Sequence, residues 1–121
     1  MSKLWTMRAA VLAGGLVGSV ARYAVQGAAD GDGFPWGTLA VNVVGAFLLG
    51  VLTSRVGRSR RPELAAALLG VGALGAFTTF SALVGQLEAM PLPTAMAYAS
   101  VSVVLGLAAA ISGIRLGRAP A

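Results

Sequence analysis

The chain has 121 residues, of which 57% are hydrophobic and 11% are charged, which leaves too few polar side chains to cover a water-soluble globule. The formal net charge is +5, but the basic residues lie at the edges of apolar runs and form no stripe with interleaved aromatic residues, which argues against nucleic acid as a partner. Cysteine and histidine are absent, so disulfides, thiolate nucleophiles and imidazole chemistry are excluded, and no nucleophile with a neighbouring base indicates an enzyme.

Four apolar runs follow one another, at about residues 4–26, 38–54, 64–87 and 92–114. A membrane-spanning helix needs roughly 17 to 25 residues, so the second run is short and the third has length to spare for a break. The pattern predicts an all-α integral membrane protein, a single domain of four transmembrane helices over residues 1–121 surrounded by membrane lipid.

The charges outside these runs are divided between the two sides of the predicted membrane. The first loop holds Asp30 and Asp32, and neither it nor the short third loop holds Lys or Arg. Eight basic residues lie at the span ends on the opposite side: Lys3, Arg8, Arg55, Arg58, Arg60, Arg61, Arg115 and Arg118. The positive-inside rule therefore predicts a multi-pass protein of the cell inner membrane with both termini in the cytoplasm.

The first and second spans each contain a polar residue that needs an explanation. Arg22 keeps its charge, and it either reaches the interface as an anchor or attracts an anion. Asn42 lies well inside its span, where an amide must find a partner in protein, water or ligand. Adhesion between helices is the alternative for Asn42.

The third span contains the segment GALGAFTTFS at residues 72–81. Its glycines allow close helix packing, but the hydroxyls of Thr78, Thr79 and Ser81 directly after them indicate an unwound stretch, so we predict a third helix broken near its middle. Free carbonyls in such a stretch suit a hard cation, whereas hydroxyls and the ring edge of Phe80 suit an anion.

In the fourth span, Tyr98, Ser102 and Gly106 recur every four residues and share one helix face. This face is either a packing groove or one wall of a pathway that supplies hydroxyl donors.

Three ordered motifs resemble those of the CrcB/Fluc family of fluoride channels, and the resemblance runs through all four spans. The matching residues are Gly15, Gly18, Arg22 and Tyr23, then Gly37, Thr38, Leu39, Val41, Asn42 and Gly45, then residues 75–81. The resemblance implies an antiparallel, dual-topology dimer with two fluoride pores along the subunit interfaces and one structural sodium ion at its centre.

By position, the resemblance implies that backbone carbonyls of Gly75 and Thr78 from both chains hold the sodium ion. The pore residues that it implies are Arg22, Thr38, Asn42, Thr79, Phe80, Tyr98 and Ser102. The implied function is a fluoride-selective channel that exports fluoride from the cytoplasm and so lowers its toxicity. Because no carboxylate or histidine lies at mid-membrane in the predicted spans, passive permeation fits better than a pump.

The chain departs from the family pattern in three respects. Leu83 stands where the family often has a second phenylalanine, and Gly106 stands where it often has a serine. A dual-topology homodimer needs chains that insert both ways, whereas a bias of eight basic residues to none favours one orientation. Our hypothesis is that the chain pairs with an oppositely oriented homologue, and a homodimer is the simpler default.

Two alternatives from other classes use the same features. A small multidrug-resistance antiporter would need a carboxylate inside the membrane, where the first span carries Arg22 instead. A non-conducting membrane scaffold subunit would use the glycines and polar residues only for helix packing.

Overall fold

The computed structural model describes residues 2–31 and 33–120, and in these ranges all regular structure is helical, with no strand. Four helical stretches are long and apolar enough to cross a membrane: Lys3–Ala29, Trp36–Arg58, Pro62–Glu88 and Leu92–Arg118. Each overlaps one of the four apolar runs, so the all-helical class with four potential spans is confirmed. Asp32, expected in the first loop, lies outside the described residues.

The first two stretches are continuous helices with defined starts. Helix α1 covers Lys3–Ala29, and the Ser2 hydroxyl accepts the backbone N–H of Trp5 at 3.4 Å as its N-cap. Helix α2 covers Trp36–Arg55 and continues into a 3₁₀ turn at Val56–Arg58. Pro35 precedes α2, a position at which its missing N–H and fixed φ are tolerated.

The third stretch changes its helical form several times. Helix α3 is Pro62–Ala65, a π-helical segment follows at Ala66–Leu74, and α4 is Gly75–Phe77. Thr78 and Thr79 then adopt extended backbone, with ψ of 155° and 119°, before α5 begins at Phe80–Glu88. The fourth stretch is a single helix, α6, at Leu92–Arg118.

The helices pack in two close pairs, α1 with the third stretch and α2 with α6. A Cβ atom at Gly18 of α1 would collide with the backbone carbonyl of Ala73, and one at Gly113 of α6 would collide with that of Phe47 in α2. Glycine at these positions lets the backbones approach closely, which is the usual way that helices associate in membranes. The guanidinium Nε of Arg55 also donates to the carbonyl of Gly117 at 3.2 Å and joins the ends of α2 and α6.

The interior of the chain is small. Its buried apolar side chains are Ala10, Leu39, Val41, Ala67 and Tyr98. Large apolar side chains are exposed along all four stretches, as a surface in contact with lipid or with a second subunit requires.

Candidate functional site

Asn42 joins α2 to the interruption of the third stretch. The backbone N–H of Thr79 donates to the Asn42 Oδ1 at 2.8 Å, and the Asn42 Nδ2 donates to the Thr79 carbonyl at 3.1 Å. The side-chain amide therefore supplies hydrogen-bond partners to the N–H and the carbonyl of Thr79, which lie outside regular helix in an otherwise apolar stretch. One N–H of the Asn42 amide is left over for another acceptor.

The hydrogen bonds at the interruption divert two donors from the regular helical pattern. In an α-helix the N–H of Thr79 would pair with the Gly75 carbonyl and the N–H of Ala82 with the Thr78 carbonyl. Here the first donates to Asn42, and the second donates to the Thr79 hydroxyl oxygen at 3.2 Å. The carbonyls of Gly75 and Thr78 are thus without their usual helical donors, which leaves oxygen lone pairs that suit a hard cation.

An open groove of about 320 Å³ lies beside this interruption. Its lining residues are Asn42, Thr78, Thr79, Phe80, Leu83, Ser102 and Val103. The groove brings together residues that the sequence places on three different spans. It contains amide and hydroxyl donors, and no acidic side chain is among its lining residues.

The groove contains a buried hydroxyl and an exposed aromatic ring. The Ser102 hydroxyl oxygen is buried and has no hydrogen-bond partner among residues 2–31 and 33–120. Phe80, at the start of α5, is 77% exposed, like many large apolar side chains of the four stretches. A buried hydroxyl without a partner and an exposed aromatic ring are both available to a ligand in the groove.

A second groove, of about 240 Å³, shares Asn42 and Thr78 with the first. Gly45, Gly70 and Gly75 contribute to its wall. Gly75 is exposed there, and a Cβ atom built on it would meet nothing closer than the Gly70 carbonyl at 3.5 Å. The backbone around Gly75 is therefore open to the outside of the chain.

Thr38 is fully buried and belongs to a separate, partly buried hydrogen-bond network. Its hydroxyl donates to the Asp30 Oδ2 at 2.7 Å, and its backbone N–H donates to the Asp30 Oδ1 at 3.0 Å. The Thr38 hydroxyl oxygen accepts the side-chain amides of Gln26 at 3.0 Å and Gln86 at 2.9 Å. The Tyr98 hydroxyl donates to the Gln86 Oε1 at 2.8 Å and completes the network.

The sequence analysis treated Thr38 and Tyr98 as pore donors, and in the structure both have hydrogen-bond partners within the protein. The hydroxyl hydrogens of Thr38 and Tyr98 are both donated to protein acceptors, and neither residue is among those that line the grooves beside Asn42. Sequence reasoning did not single out Gln26 and Gln86, and it treated Asp30 only as a loop charge. The available signal was that two glutamines lie in apolar runs, where an amide needs partners as much as Asn42 does.

The remaining predicted residues lie as follows. Arg22 is half-buried, and its Nε has no hydrogen-bond partner within the part of the chain that the structure describes. Arg22 is four residues beyond Gly18, so it lies on the face of α1 that is directed toward the third stretch. A Cβ atom at Gly106 would meet nothing within 4 Å, so the space that a serine would need there is open.

Comparisons with known proteins agree on one family. The family model described as "CrcB-like protein, Camphor Resistance (CrcB)" matches residues 9–114. A protein named "Fluoride-specific ion channel FluC" from Agrobacterium fabrum is 42% identical, over 91% of this chain and 94% of that protein. Proteins of the same name from Deinococcus radiodurans and Caulobacter vibrioides are each 43% identical, over 86% and 89% of this chain and 89% and 92% of their own lengths.

Proposed function

Because this chain belongs to the CrcB-like protein family, we propose that it is a fluoride-specific ion channel, as its relatives are named. It is a transport protein and not an enzyme. The observation that carries the proposal is the groove beside the interrupted third stretch, which combines the Asn42 amide, the unpartnered Ser102 hydroxyl and the exposed Phe80 ring.

The chemistry of this groove suits a small, acceptor-only anion. Fluoride leaves water only if donors replace its hydration shell. Asn42 has a spare N–H, and the Thr79 hydroxyl accepts from Ala82 and so keeps its own hydrogen free to donate. Ser102 and the Phe80 ring edge complete a set of donors in which no carboxylate repels the anion.

We assign the other pore residues to the continuation of this path. Tyr98 lies one turn from Ser102 on the same face of α6, and Gln86 links it to Thr38. In the arrangement described, Tyr98 and Thr38 donate to protein acceptors, so each would have to rotate its hydroxyl to donate to fluoride. Arg22, with its unpartnered Nε, would attract the anion into a vestibule.

Transport by this chain is passive in our proposal. A pump would need a site that couples fluoride to a second ion, and the groove presents amide, hydroxyl and aromatic groups, which do not titrate near neutral pH. Fluoride that enters a cell as its neutral acid would leave through the channel down its electrochemical gradient, which lowers fluoride toxicity.

A sodium ion fits the carbonyls of Gly75 and Thr78. Their helical donors are diverted to Asn42 and Thr79, and Gly75 lies on an open surface where a second subunit could supply matching carbonyls. The ion would hold the interrupted backbone of two subunits together as a structural group. Sodium, unlike potassium, should then raise the unfolding midpoint of the purified protein, and equal midpoints in the two salts would contradict the assignment.

The second subunit in this proposal is antiparallel to the first, and it covers the exposed apolar surface around Gly75. The interrupted third stretch thereby becomes the broken span at the centre of the assembly. The chain itself is oriented with both termini in the cytoplasm, because its basic residues lie at one end of the helices. Its partner is an oppositely oriented homologue or, in the simpler case, another copy of this chain.

Fluoride efflux from liposomes tests the proposed function. Purified chain should release fluoride and retain chloride, and Asn42→Ala and Phe80→Leu should abolish the release. Ser102→Ala should slow it strongly, because the variant removes a hydroxyl that has no protein partner to lose. Ser112→Ala is the matched control, since its exposed hydroxyl bonds only to the Ala108 carbonyl of its own helix.

The outcomes of this assay distinguish a selective channel, a channel that needs a partner subunit and a scaffold subunit. Release of both ions at similar rates would contradict a selective channel. Release by Ser102→Ala at the wild-type rate would contradict the assigned groove. Absence of release by the chain alone, followed by release when a homologue of opposite charge bias is co-expressed, would identify an obligate partner, and absence in both cases would support a scaffold subunit.

A further inference from the structure

A third groove, of about 310 Å³, lies between the start of α1 and the start of α3. It shares no lining residue with the two grooves beside Asn42. Its lining residues are Lys3, Thr6, Met7, Arg61, Glu63 and Leu64. Charged groups and the Thr6 hydroxyl alternate with the apolar side chains of Met7 and Leu64. The groove is therefore amphipathic, like the boundary between lipid headgroups and acyl chains.

The charge of this groove is positive. Lys3 forms an ion pair with Glu63, and the side chains of both are exposed. Arg61 lines the groove, and Arg8 directly follows the lining residue Met7 on α1. Because the Lys3–Glu63 pair is neutral, the lining residues carry a net charge of +1, and Arg8 adds a further positive charge nearby.

Two residues of α1 that follow Lys3 in the sequence, Leu4 and Trp5, indicate the depth of the groove in the membrane. Trp5 is 58% exposed, and the Arg8 guanidinium carbon lies 5.1 Å from the centroid of its ring. Tryptophan is enriched at the level of lipid headgroups, and a cation over its face is favourable there. Leu4 is exposed next to Trp5. The groove therefore opens at the membrane–water interface.

We propose that this groove binds the headgroup of an anionic phospholipid such as phosphatidylglycerol, with Arg61 and Lys3 facing its phosphodiester. Met7 and Leu64 provide the apolar wall along which an acyl chain continues into the bilayer, which a free phosphate ion would not use. A zwitterionic lipid carries the same phosphate together with an ammonium group, which the local positive charge disfavours. The proposal does not depend on fluoride transport.

Intrinsic tryptophan fluorescence gives a direct test. The sequence has two tryptophans, and Trp36 lies at the other end of the spans, so Trp36→Phe leaves Trp5 as the only reporter. This variant is reconstituted into mixed phosphatidylcholine and phosphatidylglycerol vesicles in which one of the two lipids carries brominated acyl chains. Brominated phosphatidylglycerol should quench Trp5 more than brominated phosphatidylcholine at the same mole fraction.

Charge variants on this background test the residues. Each basic group near an anionic lipid surface contributes about a fivefold change in lipid affinity, so Lys3→Gln combined with Arg61→Gln should remove most of the preference. Glu63→Gln should raise the preference by a similar factor, whereas a purely structural ion pair would give no increase. Arg115→Gln combined with Arg118→Gln is the control, because these exposed residues lie at the end of α6, outside the groove.

Three results would overturn the proposal. The first is equal quenching of Trp5 by the two brominated lipids. The second is a preference that survives in the Lys3 and Arg61 double variant. The third is an equal loss in the Arg115 and Arg118 double variant, which would show general attraction to a basic surface and no defined site.

Discussion

Thr38 and Ser102 are hydroxyl residues inside spans, but their surroundings differ. Thr38 is fully buried, and its hydroxyl makes three hydrogen bonds, to Asp30, Gln26 and Gln86. The Ser102 hydroxyl is buried beside a groove without a partner among the described residues. Thr38 is therefore held in place by the protein itself, whereas the Ser102 hydroxyl keeps its hydrogen-bonding capacity unused within the described residues.

Substitution of Thr38 tests its structural role. Thr38→Val removes the hydroxyl while it keeps the shape. The partly buried Asp30 Oδ2 and the side-chain amides of Gln26 and Gln86 thereby lose their hydrogen bonds to that hydroxyl. We expect a loss of about 1–3 kcal/mol in the free energy of unfolding, measured as a lower thermal midpoint in detergent. Thr53→Val is the control, because its exposed hydroxyl bonds only to the Leu49 carbonyl of its own helix. Equal midpoints for the two variants would show that the network contributes little.

Leu83 lines the groove and stands where the resemblance to the family implies a second phenylalanine. Leu83→Phe places a second ring edge beside Phe80, and an edge contact of about 1 kcal/mol at the transport barrier would raise fluoride flux about fivefold. Val84→Phe adds a ring at the next position, outside the residues that line the groove. Efflux from liposomes measures both, and an unchanged or lower flux for Leu83→Phe would show that the ring edge does not assist fluoride here.

At the scale of helices and segments, α1 and the third stretch pack with their backbones in close contact. Gly14 and Gly18 lie one turn apart on α1 and face the backbone of the third stretch. The facing segment, Ala66–Leu74, is π-helical, and its wider turns change which residues face α1. π-helical turns are often found near functional sites. Here the segment leads directly into α4 and the interruption at Thr78 and Thr79.

A methyl group tests this helix contact. Gly18→Ala would place its Cβ against the Ala73 carbonyl, so the helices must separate, and we expect a loss of about 1–3 kcal/mol in the free energy of unfolding. Gly27→Ala in the same helix meets nothing within 4 Å, and it should be neutral or stabilising by up to about 1 kcal/mol. Thermal unfolding in detergent measures both variants. Similar midpoints would mean that α1 does not need this close approach.

At the scale of the whole molecule, the distribution of charge and apolar surface determines how the chain sits in the membrane and what it contacts. The basic residues cluster at the ends of α1, α2, α3 and α6 on one side, and large apolar side chains remain exposed along the spans. The charge bias favours a single orientation, whereas an antiparallel homodimer needs both. These two expectations can be separated by experiment.

Labelling of single introduced cysteines decides between one orientation and two. The chain contains no cysteine of its own, so each introduced cysteine is its only labelling site. Gly57, in the 3₁₀ turn after α2, and Gly31, after α1, are exposed at opposite ends of the spans, and a Cβ atom at either meets nothing within 4 Å. We expect a membrane-impermeant maleimide to label Gly31→Cys in intact spheroplasts and to label Gly57→Cys only after permeabilisation.

The orientation result also bears on the partner. Labelling of about half of each variant in intact spheroplasts would contradict a single orientation and would favour an antiparallel homodimer. Uniform labelling as expected would require an oppositely oriented homologue for the antiparallel pair, and the mass of the complex purified with such a homologue would then show the two subunits together.

The four apolar helices could be predicted from the sequence, because the length and composition of each run are local properties that decide whether it can span a bilayer. Asn42 and residues 72–81 could also be located from the sequence, since an amide or a cluster of hydroxyls in an apolar run needs hydrogen-bond partners wherever it folds. The identity of those partners followed from the packing of the helices. Gln86 bonds to Thr38 from 48 positions away, and Asn42 bonds to Thr79 from 37 positions away. Such pairings depend on how the helices are packed, because hydrogen bonds between distant residues form only after close packing has brought the backbones together.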